Sequence, residues 1–144
     1  MATDRKAQVT WEGGLMSGKG RIETVTSGAV GDLDVSWPAR SEDPGGMTSP
    51  EELIAAAHAT CLSMALSHGL AEAGHTPDKL ETSATVTFQP GEGITKVALE
   101  VVGRVPGMDD AEFEEVAGQA KENCPVSKAL AGVPEIDLTA RLDH

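Results

Sequence analysis

The stretch SPEELIAAAHATCLSMAL, residues 49–66, decides the fold. Ser49 suits an N-cap, Pro50 the first helical position, and Glu52, three residues after Ser49, completes a capping-box pattern. The helix should run to about Ala73, where Gly74 supplies the stop and Pro77 confirms it. At about 100° per residue, Leu53, Ile54, Ala57, His58, Cys61, Met64, Ala65 and His68 share one arc. The small residues Ala55, Ala56, Ala59, Thr60, Ser63 and Ser67 share the opposite one. Both sides are therefore expected to be buried. In a short chain that is easiest when a second subunit covers one side, which predicts a homodimer with this helix at its centre.

Working outward, QVTWEG (8–13), GRIETVT (20–26) and AVGDLDVSW (29–37) read as an antiparallel β-meander with turns at Gly13-Gly14 and Ser27-Gly28. PARSEDPGGMT (38–48) reads as an exposed, shaped loop. After the central helix, SATVTF (83–88) and ITKVALEVVGRV (94–105) form a hairpin across PGEG (90–93). Val97, Leu99 and Val101 lie on one face of it, with Lys96, Glu100 and Arg104 mostly on the other. DDAEFEEVAGQAKENC (109–124) is a second helix, acidic at its start and with Lys121 in its last turn, as the dipole prefers. Pro125 interrupts it, VSKAL is a further helical turn, and EIDLTARL (135–142) alternates as a closing strand. The order predicts one α+β domain over residues 1–144, with helices against mainly antiparallel sheets.

The 144 residues carry a formal net charge of -12 with 3% aromatics and no tyrosine, so the core must be aliphatic. Such acidity argues against nucleic acid or an anionic membrane as partner. No apolar run approaches the roughly 18 residues of a membrane span, and MATDRKAQVTW lacks a secretory h-region, so the expected location is the cytoplasm.

Cys61 and Cys124 are the two cysteines. Cys61 reads either as core filler or as a reactive thiol. Mid-helix placement gives it little help from the dipole, so reactivity requires a cation, and Arg40, Arg21 and Lys19 in nearby loops are the candidates. Glu51, ten residues before Cys61, lies about 80° around the wheel and roughly 15 Å along the axis. Its plain role is dipole complement, shared with Glu52; its sharper role is to orient an arginine that reaches toward the thiol. Cys124, before Pro125, sits at a helix N-terminus if VSKAL is helical, where a thiolate is stabilised. On local electrostatics alone Cys124 is the better nucleophile; the alternative is a plug at a helix junction. His58, His68, His75 and His144 show no metal-ligand spacing, and no GxSxG, P-loop or GxGxxG is present in its required setting.

TSPEELIAAAHATCLSMALS (48–67) together with KENCPVSKAL (121–130) resembles the OsmC/Ohr family of cysteine-dependent hydroperoxide reductases, most closely its osmotically inducible OsmC branch. WEGGLMSGKGRI (11–22), ITKVAL (94–99) and VPGMD (105–109) also fit, so the resemblance covers nearly the whole chain. It implies an OsmC-like fold in an intertwined homodimer with active sites at the subunit interface. It further implies that Cys61 is the peroxidatic cysteine, Cys124 the resolving cysteine, Arg40 the cation that stabilises thiolate and peroxide, and Glu51 the residue that holds Arg40. In the Ohr-like branch the arginine comes instead from the first hairpin, near Lys19 and Arg21. Ser41 follows Arg40 where OsmC-like loops usually carry an aromatic, and Leu62 follows Cys61 where relatives often have phenylalanine.

The implied activity is reduction of organic hydroperoxides, or of hydrogen peroxide, in oxidative and osmotic stress. The substrate oxidises Cys61 to a sulfenic acid, Cys124 condenses with it to a disulfide, and an external dithiol, such as a lipoyl-type group on a protein, reduces the pair. No metal, flavin or haem is required. Two rival readings are a non-enzymatic redox sensor, which would keep both cysteines, and a hot-dog-type thioesterase or acyl-binding module, which usually places a carboxylate near the helix mid-length.

Overall fold

A computed structural model describes residues 1–143. In chain order the elements are β1 (Ala7–Glu12), β2 (Lys19–Val25), β3 (Gly31–Val35), α1 (Trp37–Ser41), α2 (Pro50–Glu72), β4 (Lys79–Gln89), β5 (Gly93–Arg104), α3 (Asp110–Asn123), α4 (Pro125–Ala129) and β6 (Glu135–Leu142). The chain divides into two compact units, Met1–Leu53 and a second that begins at Ile54.

In the first unit β1, β2 and β3 form the expected antiparallel meander. Trp11, Gly20 and Val35 lie across from one another in the register. The stretch expected as loop from 38 onward begins instead with the short helix α1. Ser36 caps it, its Oγ accepting from the Ala39 N–H at 3.2 Å, and Pro38 sits in the first turn where its missing N–H costs nothing. Arg40 is thus held on a helical turn rather than in irregular backbone.

At the head of α2 the Glu52 N–H donates to Ser49 Oγ at 3.2 Å. The other half of the capping box is different from expectation: the Glu52 carboxylate accepts from Thr48 Oγ1 at 3.0 Å instead of turning back to the Ser49 N–H. At the far end Gly74 takes φ +87°, the Gly74 N–H donates to Ala71 O and the His75 N–H to Leu70 O. This Schellman arrangement satisfies two carbonyls of the last turn, and its left-handed residue favours glycine.

The second unit is built on the sheet β4-β5-β6. The β4–β5 hairpin is antiparallel, but β6 runs parallel to β5, as a strand reached through the α3–α4 crossover can. Val97, Leu99 and Val101 of β5 are buried on one face, as the alternation predicts. They form one cluster with Leu62, Leu66 and Leu70 of α2 and Phe113 and Ala117 of α3. Burying each large side chain contributes roughly 1.5–3 kcal/mol. Gly103 continues that face, and a Cβ there would sit 2.6 Å from the Phe113 ring, so the ring packs where only glycine leaves room.

The buried stripe of α2 is His58, Leu62, Leu66 and Leu70, spaced by four. The arc drawn from the sequence is therefore corrected: Leu53, Met64 and His68 face outward, and within the chain one side of the helix is covered. By length and composition α2 is apolar enough to cross a membrane, although its leucines serve here as core.

Candidate active site

The residues that follow Pro rules place Cys124. Proline disfavours helical backbone in the residue before it, and Cys124 accordingly leaves α3 with φ -62° and ψ 120°. Its N–H still closes α3 by donating to Ala120 O at 2.8 Å, while its carbonyl accepts from the Lys128 N–H at 3.0 Å in α4. One residue is both the end of α3 and the cap position of α4. That fixes its fully buried sulfur between the two.

Cys61, two turns into the unit's part of α2, is half-buried, and both cysteines are free thiols. The two side chains lie within hydrogen-bonding influence of each other, so the structure brings together the two sequence candidates. Their acidities diverge. Burial pushes the Cys61 thiol up, and the hydrogen bond with Cys124 and its charge add to this, against a downward pull from the Val126 N–H. For Cys124 burial also acts upward, but Cys61, the Ser127 N–H and hydroxyl, and the Val126 N–H outweigh it, and the net direction is down. The N–H groups at the start of α4 face the sulfur without forming a close capping hydrogen bond. Within this pair Cys61 is the more accessible sulfur and Cys124 the fully buried one.

His58 lies one turn before Cys61 on α2 and is completely buried. Its Nε2 is 2.7 Å from Ser127 Oγ of α4. Burial lowers its pKa below the ordinary 6.5, so the ring is neutral at pH 7. Reasoning from sequence passed over this pair. The available signal was spacing, since His58 precedes Cys61 by three residues and Ser127 follows Cys124 by three.

In the first unit Arg40 grips Glu51. Its Nε donates to Oε1 at 3.0 Å and to Oε2 at 3.1 Å, and its Nη2 donates to Oε2 at 2.8 Å. The guanidinium carbon lies 6.0 Å from the centroid of the Trp37 ring, so the aromatic neighbour that Ser41 does not provide comes from three residues before the arginine. Arg21, the rival cation, pairs instead with Asp32 at 3.1 Å on the exposed face of the meander. Lys19 lies opposite Glu12 in the β1–β2 register. Glu51 thus selects Arg40 over either.

The acids of α2 are Glu51 and Glu52 at its head and Glu72 at its end, which leaves no carboxylate near mid-length for a hot-dog-type site. Among the described residues, no cluster of histidine, cysteine and carboxylate side chains has the arrangement of a metal site.

Comparison with known proteins agrees with this arrangement of elements and motifs. The family described as OsmC-like protein matches residues 43–139. Peroxiredoxin OsmC of Escherichia coli (strain K12) is 42% identical over 140 residues, covering 95% of this chain and 96% of the relative. An organic hydroperoxide resistance protein of Xanthomonas axonopodis pv. citri is 32% identical over 122 residues, covering 80% of this chain and 82% of its own. Among solved structures, the organic hydroperoxide resistance protein OhrB of Bacillus subtilis superposes with a TM-score of 0.65 at 30% identity, covering 96% of this chain and 98% of that one. With the central helix, the paired cysteine segments and these matches in hand, the chain belongs to the OsmC-like protein family.

Proposed function

We propose that the chain is a two-cysteine thiol peroxidase that reduces organic hydroperoxides, or hydrogen peroxide, within a single OsmC-like domain. The observation that carries this reading is the pairing of a half-buried Cys61 with a fully buried Cys124, both as free thiols. The accessible sulfur suits attack on a peroxide, and the buried one suits an attack that comes from within the protein. The names of the relatives, a peroxiredoxin and organic hydroperoxide resistance proteins, support the same class of chemistry.

In the first step the Cys61 thiolate attacks one peroxide oxygen, the O–O bond breaks, and the other oxygen leaves with a proton as alcohol or water. Cys61 becomes a sulfenic acid. Arg40, oriented by Glu51, is the cation assigned to the thiolate and to the developing charge on the leaving oxygen. In the second step the Cys124 sulfur attacks the sulfenic sulfur, the S–S bond forms and water leaves. An external dithiol, of which a lipoyl-type group on a protein is one form, returns the disulfide to two thiols. This cycle uses no metal, flavin or haem.

The functional species is proposed to be an intertwined homodimer. Supporting this, Leu53 and Met64 of α2, together with Val9, Trp11, Leu15 and Met16 of the first hairpin, are exposed large apolar side chains. A 144-residue chain has reason to cover so many.

Stopped-flow oxidation of the reduced protein by each peroxide class tests the cycle. Cys61→Ser is expected to abolish peroxide consumption, while Cys124→Ser allows a single turnover and then stops. Full turnover by Cys61→Ser refutes the assignment. Sustained peroxide loss with a recycling dithiol separates an enzyme from a stoichiometric redox sensor.

A further inference from the structure

His58 is a completely buried polar residue in the middle of an apolar helix face, and it is not explained by packing alone. Its Nε2 meets Ser127 Oγ at 2.7 Å, while its Nδ1, among the described residues, is buried without a hydrogen-bond partner. An unpaired buried N–H is costlier and rarer than an unpaired acceptor. The favoured tautomer therefore carries its proton on Nε2 and leaves the bare lone pair on Nδ1. Nε2–H then donates to Ser127 Oγ, and the single hydroxyl proton of Ser127 is free to point elsewhere. Ser127 lies in the first turn of α4, three residues after the cap residue Cys124, whose carbonyl accepts from the next residue, Lys128; at that short range its hydroxyl helps to pull the Cys124 thiol down.

We propose that His58 and Ser127 are a positioning pair for Cys124: a donor chain, from His58 Nε2–H to Ser127 Oγ and from Ser127 O–H to Cys124 Sγ, that presents this sulfur as a thiolate to oxidised Cys61. The inference rests on the two-cysteine reading above and assigns to it two residues that do not touch the peroxide. A neutral donor chain suits a buried site, because it stabilises the thiolate by oriented dipoles and adds no second charge to be desolvated. It also divides the labour between the cysteines, since its influence is on the second step.

The chemistry balances. Cys124 gives its proton to solvent on becoming the thiolate. The thiolate pair attacks the Cys61 sulfenic sulfur, the S–S bond forms, the S–O bond breaks, and hydroxide leaves. Hydroxide takes up one proton from solvent to become water, so one thiol and one sulfenic acid yield one disulfide and one water. Ser127 and His58 keep their protons throughout.

The experiment follows thiolate absorbance near 240 nm during a pH titration of the reduced Cys61→Ser protein, in which Cys124 is the one remaining thiol. Adding Ser127→Ala should displace the midpoint upward by about one pH unit, and Ser127→Thr, which keeps a hydroxyl, should restore it. His58→Leu should act like Ser127→Ala, and His58→Gln, which keeps an N–H donor, should restore the titration. In protein with both cysteines, Ser127→Ala should slow disulfide formation at pH 7 about tenfold and leave the peroxide-dependent step unchanged.

A purely structural tie between α2 and α4 would lower thermal stability in Ser127→Ala without moving the Cys124 midpoint, and that result overturns the proposal. Equal slowing of both steps overturns it as well. Failure of the peroxidase reading is seen separately, as full turnover by Cys61→Ser, and leaves the Cys124 titration to be judged by itself.

Discussion

Arg40 and Glu51 are joined by three hydrogen bonds, yet the Glu51 side chain is 8% exposed and that of Arg40 is 31% exposed. The two partners are therefore unequal. Removing the arginine strands a buried carboxylate, whereas removing the carboxylate leaves a cation that water already reaches.

The expected outcome is asymmetric. Arg40→Met should destabilise the fold by about 3–5 kcal/mol, and Glu51→Gln by about 1–2 kcal/mol, measured by urea unfolding at pH 7. Both should slow peroxide reduction. Arg40→Lys should not rescue it, because an ammonium cannot reproduce the two-pronged grip. Equal stability losses in the two variants would show that burial of Glu51 does not govern the pair.

The thiols carry a titration order. In the reduced protein Cys124 should ionise at lower pH than Cys61, because the interactions around Cys124 pull it down while burial and Cys124 itself push Cys61 up. Replacing Cys124 by alanine removes its hydrogen bond and its charge, so the Cys61 midpoint should fall. Titration at 240 nm of the reduced parent protein and of Cys124→Ala, compared with each other, reads the change. A Cys61 midpoint that rises on loss of Cys124 contradicts the order.

His58 sets a stability window. Its folded pKa is lowered from 6.5 by burial, so between 6.5 and that lower value the unfolded chain binds more protons than the folded one. Stability rises with pH wherever this holds. The contribution is thus present above 6.5 and is lost as pH falls through the folded value. His58→Gln should flatten the curve of unfolding free energy in that window, and an unchanged slope there assigns the acid sensitivity to other groups.

Gly103 and Phe113 offer a packing test. Gly103→Ala places a methyl group 2.6 Å from the Phe113 ring, and overpacking of this kind costs about 1–3 kcal/mol. Shortening the ring in Gly103→Ala/Phe113→Leu should recover part of that loss, so the two changes should be non-additive in thermal unfolding.

The outward face of α2 tests assembly. Met64→Glu adds charge at a side chain that is 69% exposed in the chain by itself. If a second copy covers this face, light scattering should give about twice 14.9 kDa for the parent protein and a shift toward monomer for the variant. A parent protein of 14.9 kDa at all concentrations removes the dimer from the proposal.

Local chemistry made much of this protein legible in its sequence. The Ser49-Pro50 start and Gly74 stop of α2 and the alternation of β5 are each written within a few residues, because caps and strand faces depend on near neighbours. Cys124 before Pro125 likewise announces its bent backbone. The buried face of α2 is not legible in the same way, because the helix is apolar or small all round. With leucine, methionine and alanine on every side, periodicity does not distinguish the face that meets the sheet.

Sequence by itself determined the two long helices, the strands and their order, and the two cysteine segments that carry the family motifs. Tertiary structure decided what no local pattern encodes: that β6 lies parallel to β5, that Leu62, Leu66 and Leu70 face inward, that Glu51 takes Arg40 rather than Arg21, and that His58 meets Ser127. The physical reason is range. Capping and alternation are settled by contacts a few residues apart, whereas these choices depend on which distant side chains are brought within about 3 Å, where hydrogen bonds form. The cysteine of SPEELIAAAHATCLSMAL stands in the sequence, and its partner is chosen by the fold.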